Sequence, residues 1–464
     1  MPSKQPMGDV IVLLPGILGS VLERDGRDVW AMSAGAAWRA ITSLGRSVDD
    51  LELHGDDHTV DDLGDGVTAP RLLPDLHVIP GLWSIDGYTA IKASIFAAFD
   101  VVEGENWFDF PYDWRRDNRV AARHLAERVP GWLHAWREHS GNKDAKLVLV
   151  GHSMGGLVAR HYLEVLDGWR DTRTLLTFGT PYRGSLNALD FLCNGFKKKL
   201  GPIGIDLTRF LGSLTSVYQL LPRYPVIDSG VGDLTRVAET DGVPGVDNAR
   251  AGAALQFHHD IDTAIGKRPA DAYAIHPIVG ILQPTLQSAQ LEDGSVRMLQ
   301  THSGTDAGGD GTVPRVSATP VELSDQGREI YAPDRHGSLQ NAIGPLTQLV
   351  GVLSARPTAT FRAGTSGFGL EIDDLFGADE PVRAVAISDD PAPTVAAEIV
   401  DLATGRAVLE SVIEVDGDGR YRAEWPPLPP ADYRLTVSAV DANSDRQPVH
   451  SVFIVAPPAD AGPL

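Results

Sequence analysis

Hydrophobic and polar positions along this chain fall into two textures that meet near residue 356. In the longer, earlier part, short wholly apolar runs alternate with stretches of helical periodicity. Val10-Ile-Val-Leu-Leu14 is apolar at every position and stops at Pro15-Gly16, the pattern of a strand buried on both faces. Between Tyr88 and Phe99, Ile91, Ile95 and Phe99 recur on one helical face. A longer amphipathic helix is expected from about Asn118 to His139. Lys146 to Val150 is again a buried strand, followed by a Gly-rich turn and a helix through Leu166. Leu175 to Phe178 and Ile275 to Leu282 supply two more strands, and Asn341 to Leu353 a closing helix. Gln287 to Gln300 has the form of a hairpin about Asp293-Gly294. Such alternation predicts an α/β fold, a mostly parallel sheet with helices on both faces.

Two segments break this rhythm. Asp49 to Gly66 is rich in Asp and Gly and is expected to be a surface excursion. From about Tyr182 to Ala272 the chain has Leu-rich helical pieces, several Pro and Gly, and no convincing buried strand, which predicts an inserted cap or lid over 182–273. Beyond Arg356-Pro357 the texture changes to short alternating segments: Val382–Ile387, Val395–Val400, Ala407–Val415, Arg420–Glu424, Tyr433–Val440 and Val449–Val455. Short strands at this spacing predict an all-β, immunoglobulin-like sandwich. The expected organisation is an α/β domain over 1–355 and a β-sandwich domain over 356–464.

Composition narrows the function. A formal net charge of −22 over 464 residues excludes nucleic acid as an expected partner, because phosphate contacts need clustered Lys and Arg. One cysteine, Cys193, permits no intrachain disulfide, and it is expected to be a small cap or core residue. The stretch Val10 to Leu14 is too short for a signal h-region, and no run reaches the length of a membrane span, so a cytoplasmic location is expected.

Gly151-His-Ser-Met-Gly155 lies between the strand ending at Val150 and the helix from Leu157. A G-x-S-x-G in that setting is a nucleophile elbow: small residues flank the serine because the sharp turn brings neighbouring backbone close. A serine hydroxyl needs a base, and the base needs an orienting carboxylate, in chain order Ser, acid, His. Asp310, between Gly309 and Gly311, is the expected acid, with Asp306 its rival. His336, in a loop before the closing helix, is the expected base, since His302 precedes both aspartates and His152 is turned away by the elbow. The developing oxyanion needs two backbone N–H groups. Met154, after the nucleophile, is expected to give one, and the loop Pro15-Gly-Ile-Leu-Gly-Ser20 the other, from Ile17 or alternatively Leu18. Tyr112 to Arg115 could line an acyl site or brace the sheet edge. His258-His259-Asp260 lacks metal-ligand spacing, and Asp416-Gly-Asp-Gly419 lacks the positions of a calcium loop, so neither a metal nor a cofactor is expected.

Six motifs occur in order: Pro15-Gly-Ile-Leu-Gly-Ser20, Phe110-Pro-Tyr-Asp-Trp-Arg115, Gly151-His-Ser-Met-Gly-Gly156, Gly179-Thr-Pro181, Gly309-Asp-Gly-Thr-Val-Pro314 and Arg335-His-Gly337. Together they resemble the lecithin:cholesterol acyltransferase family, which includes lysosomal phospholipase A2 and phospholipid:diacylglycerol acyltransferase. The resemblance covers about residues 8–354. It implies an α/β-hydrolase fold with a cap, a Ser153–Asp310–His336 triad, and Ile17 and Met154 amides as oxyanion hole. The implied partner is a lipid or other acyl-ester substrate, with hydrolysis or acyl transfer as the outcome. The sandwich lies outside the resemblance and could dock a protein partner, the one way in which the chain would be a binding scaffold and not an enzyme.

Overall fold

The computed structural model describes residues 4–31, 51–73, 77–79, 83–85, 87–200, 203–230, 232–324, 327, 329–354, 368–388, 394–416, 419–440 and 448–456. The expected boundary near Arg356 lies outside the described residues.

At the centre is a six-stranded sheet of β1 (Val10–Leu14), β2 (Trp107–Asp109), β3 (Leu147–His152), β4 (Thr172–Phe178), β5 (Ala274–Gly280) and β6 (Ile330–Ala332). Its order is β6-β5-β4-β3-β1-β2, and every pairing is parallel. The continuous apolar runs follow from burial on both faces. Along β1, Val10, Val12 and Leu14 join one core cluster while Ile11 and Leu13 join another. The first cluster is closed by α2 (Asn118–Ser140) and α3 (Met154–Val165), through Leu125, Val129, Leu133, Leu157 and Val158. The second is closed by α1 (Thr89–Ala98) and α8 (Ile343–Leu353), through Ile91, Ile95 and Leu349. Asp117 caps α2 by accepting from the Arg119 amide, and Gly141, at φ 70°, ends it. This is the α/β-hydrolase architecture that the sequence predicts.

The segment between β4 and β5 holds α4 (Leu186–Asn194), α5 (Thr208–Ser213), α6 (Thr215–Gln219) and α7 (Asn248–Ile265). Its Phe210, Leu211, Leu214, Val217 and Phe257 share one cluster with the sheet, so it is part of the core and not a detached cover. It also contains strands that periodicity missed. Lys197–Leu200 and Ile203–Asp206 form a hairpin, and Ile227–Asp228 pairs with the hairpin strand Ser288–Glu292. Those pieces are too short for a two-residue period to register.

The Asp-rich stretch before residue 66 does more than reach into solvent. Asp56 pairs with the nearly buried Arg116, and Asp65 with the fully buried Arg115, which also holds Asp113 at 2.6 Å. Trp114 donates to the Ser20 carbonyl. The bracing role of Asp113, Trp114 and Arg115 is therefore the one observed. A buried cation needs such partners, because one left unpaired costs several kcal/mol, roughly 3–5.

Beyond residue 368 two sheets face each other. One is β7 (Gly369–Ile372), β9 (Val382–Ile387) and β12 (Arg420–Trp425), ordered β7-β9-β12. The other has β8 (Leu375–Gly377), β10 (Thr394–Asp401), β11 (Arg406–Glu414), β13 (Ala431–Ala439) and β14 (Val449–Ala456), ordered β8-β14-β13-β10-β11. All pairs are antiparallel except β8 with β14. Inward residues of both sheets, among them Phe368, Val382, Tyr421, Ile399, Leu435 and Phe453, form a separate cluster.

Candidate active site

The chain leaves β3 at His152 and enters α3 at Met154, with Ser153 between them at φ 50° and ψ −124°. A positive φ is costly for a residue with a Cβ, and the surroundings enforce it. The Ser153 amide donates to Phe178 O at 2.8 Å, and Thr180 Oγ1 donates to Ser153 O at 2.9 Å. A Cβ on Gly155 would lie 2.5 Å from the Leu14 and Pro15 carbonyl oxygens, which is why this turn needs glycine.

Ser153 directly follows β3, His336 lies four residues after β6, and Asp310 lies in a loop bridged to Gln283. His336 Nε2 lies 2.9 Å from Ser153 Oγ, and His336 Nδ1 lies 2.7 Å from Asp310 Oδ2. All three are buried. The other carboxylate oxygen, Asp310 Oδ1, accepts from the amides of Thr312 at 2.9 Å and Val313 at 2.6 Å. Those bonds fix the carboxylate, and its position selects the tautomer with a proton on Nδ1, leaving Nε2 to accept from the serine. The rival, Asp306, is engaged elsewhere, with Gln287 and the Gly308 amide. His302 bonds the Pro225 carbonyl, far along another loop.

Beside Ser153 runs the loop after β1. The Gly16 N–H donates to Tyr88 Oη at 2.8 Å and the Gly19 N–H to Gly16 O at 3.1 Å, so the amides on either side of Ile17 and Leu18 are both engaged. Tyr112 Oη holds the same loop from the other side by donating to Pro15 O at 2.8 Å. Tyr88 was not singled out by the sequence, because a tyrosine at a helix start has no motif. Its hydroxyl accepts from Gly16 and meets His152 Nδ1 at 3.0 Å, and His152 Nε2 meets the His336 carbonyl at 3.2 Å. Since that carbonyl can only accept, His152 donates from Nε2 and accepts at Nδ1. Burial, then the neighbouring His336, push the His152 pKa down to about 3, so the ring stays neutral and the relay intact. One buried chain thus ties the loop after β1 to the backbone of His336.

Removing that hydroxyl in Tyr88→Phe leaves the Gly16 N–H buried without its acceptor. We expect about 1–3 kcal/mol less stability in denaturant unfolding. We also expect a fall in kcat of about tenfold, below the ~10²–10³ lost with an oxyanion donor itself. An unchanged kcat would show that Tyr88 does not position this loop.

Ser153 lines a narrow cavity of about 30 Å³ together with Ile17, Leu18, Phe191, Leu211, Val217, Leu220 and Val313 among others. Of the apolar residues between β4 and β5, Ala188, Phe191, Leu211, Val217 and Leu220 line it, while Leu192, Phe196, Phe210, Leu214, Tyr218 and Leu221 pack into the core. Cys193 on α4 is half-buried, and burial with nearby Asp190 pushes its thiol up to about 12, the opposite of an activated thiolate. His258 bonds the Gln219 carbonyl. Among the described residues no three His, Cys, Asp or Glu side chains are placed to hold a metal, and no helix is long and apolar enough to cross a membrane.

The family model Lecithin:cholesterol acyltransferase matches residues 90–240. Solved structures similar to the chain include the Tle4-Tli4 complex, at 16% identity over 76% of this chain and 99% of that one, with a TM-score of 0.49. Another is the mature lipase BlEst2 of Bacillus licheniformis, at 13% identity over 76% and 94%, with a TM-score of 0.34. Phospholipase PlaB of Legionella pneumophila is similar at 10% identity over 96% and 91%, with a TM-score of 0.25. The search of curated proteins found no match. The chain is an acyl-ester hydrolase or acyltransferase, and over residues 90–240 it is similar to the lecithin:cholesterol acyltransferase family.

Proposed function

We propose that the chain is a serine lipase or esterase of phospholipase-like type, acting through an acyl-serine intermediate. The observation that carries this reading is the 2.9 Å and 2.7 Å pair of contacts joining Ser153, His336 and Asp310, with Ser153 lining an apolar cavity. Ser153 Oγ attacks the ester carbonyl carbon as its proton passes to His336 Nε2. The tetrahedral oxyanion takes hydrogen bonds from the Met154 and Ile17 amides. It collapses with the alcohol leaving, protonated by the imidazolium. Water, deprotonated by His336, then attacks the acyl-serine and the acid departs. Asp310 holds the imidazole in place throughout. No cofactor takes part in these steps.

The lining supports a long acyl chain as the bound group. Each methylene buried against it contributes up to about 0.8 kcal/mol, so four more carbons could raise kcat/KM by roughly two orders of magnitude. A series of p-nitrophenyl esters, run beside phospholipids and acylglycerols, is expected to favour medium or long chains over acetyl. A maximum at acetyl with a steep fall by octanoyl would remove the lipid substrate from this reading while leaving the triad.

Acyl transfer is the second reading, supported by the family match over 90–240. It differs only in the nucleophile that meets the acyl-serine. Adding an alcohol and analysing the products separates the two, since a transferase forms the new ester at the expense of the free acid. The scaffold alternative predicts a serine inert to a fluorophosphonate probe.

A further inference from the structure

We propose that Gln283 is a positioning residue for the Asp310–His336 pair, held in register by the carboxy-terminal β-sheets. The inference rests on the triad reading above and adds to it a role for a residue that no motif marks.

Gln283 follows β5 in the turn after Leu282 and is buried. Its backbone N–H donates to Gly309 O at 3.0 Å, and its main chain bridges to that of Asp310. Its carbonyl accepts from Thr285 Oγ1 at 2.7 Å, and the Thr285 hydroxyl in turn accepts from the Gly311 amide at 2.9 Å. The acid loop is thus gripped on both sides of Asp310. The side-chain amide reaches the other way. Nε2 donates to Pro333 O at 2.5 Å, three residues before His336, and to Phe368 O at 3.2 Å, while Oε1 accepts from the Leu370 amide at 3.1 Å. Both amide hydrogens and the carbonyl oxygen are therefore engaged.

The geometry gives this residue a purpose. Asp310 and His336 sit on separate loops, and the base works only while Nδ1 and Oδ2 keep their 2.7 Å contact. Gln283 is a strut between these loops, and β7 closes over it. Gly369 is packed so tightly there that a Cβ would lie 2.5 Å from Leu282 O. The same loop is held a second time from β14, where Ser451 Oγ accepts from Arg335 Nη1 at 2.6 Å and His450 Nδ1 stands 3.8 Å from Asp334.

The test uses the full chain with Gln283→Leu, of similar volume but without hydrogen-bonding groups, and Gly369→Ala, which leaves Gln283 intact and pushes β7 away. For Gln283→Leu, kcat on a short soluble ester is expected to fall ten- to a hundredfold, the size expected of a small misplacement of catalytic groups. KM should stay within about twofold, since no group of the acyl cavity is touched, and fluorophosphonate labelling should slow by the same factor as kcat. Gly369→Ala should show the same split with a smaller fall. A folded Gln283→Leu with kcat and labelling within about twofold of the parent overturns the proposal. A silent Gly369→Ala beside an impaired Gln283→Leu overturns the part assigned to the β-sheets. If Gln283→Leu does not fold, Gln283→Asn, which keeps the amide and shortens its reach, is read by the same criteria. A parent chain that itself fails to label would instead overturn the triad reading, so the two failures are distinct.

Discussion

Ser153→Ala is expected to lower kcat on any ester by a factor on the order of 10⁶, the size of the effect when a serine hydrolase loses its nucleophile. The hydroxyl is bonded to His336 Nε2, and the strained backbone of the elbow is held by the Phe178 carbonyl, the Thr180 hydroxyl and the glycines around it. Alanine leaves all of those in place. The variant should therefore give the circular dichroism spectrum of the parent, with an unfolding free energy changed by no more than about 1 kcal/mol. Turnover at the parental rate in a folded Ser153→Ala chain would put the nucleophile elsewhere.

Asp310→Asn should cost roughly 10⁴ in kcat, as the loss of the orienting carboxylate does in serine proteases. Here the reason can be followed atom by atom. The Thr312 and Val313 amides both donate to Oδ1 and demand an acceptor there. An asparagine must place its carbonyl oxygen on that side, which turns its NH₂ toward His336 Nδ1. Two donors then face each other unless the imidazole moves its proton to Nε2, and an Nε2–H cannot take the proton of Ser153. The single-residue comparison is Asp306→Asn. Asp306 bonds Gln287 and the Gly308 amide, and its loss should cost less than tenfold. A larger effect at Asp306 than at Asp310 would reverse the assignment.

The strands of the central sheet were legible because burial on both faces writes itself as unbroken apolar runs, as in Val10 to Leu14 and Lys146 to Val150. The edge strands β2 and β6 were not, since three residues carry no period. Strand β7 escaped for the same reason, although it is the one that reaches Gln283. At the site, the three residues marked by glycine-flanked turns and chain order, Ser153, Asp310 and His336, are brought into contact; such turns have steric needs that few residues meet. Tyr88 and Gln283 carry no such mark. Each is held by one hydrogen-bonded geometry in an ordinary-looking sequence, and only their partners, Gly16 and His152 for one and Pro333, Phe368 and Leu370 for the other, draw attention to them. The aspartates before residue 66 looked like a solvated run and prove to be counter-ions of Arg115 and Arg116, a long-range pairing that local composition cannot express.

The strand order of the central sheet has a consequence in time. Of the central strands β1 is made first, yet it finds its neighbours only in β2, after the chain has passed through α1, and in β3, after α2. Ser153 and His336 are 183 residues apart, and Asp310 arrives late as well. With translation at about 5–20 residues per second, the elbow would wait roughly 10–40 s for its base. A sheet built from such distant partners also folds slowly, because the closure of long loops comes before the contacts that repay it. Through that interval Ser153 lacks its contact with His336, and the candidate site is among the last parts of the molecule to be completed.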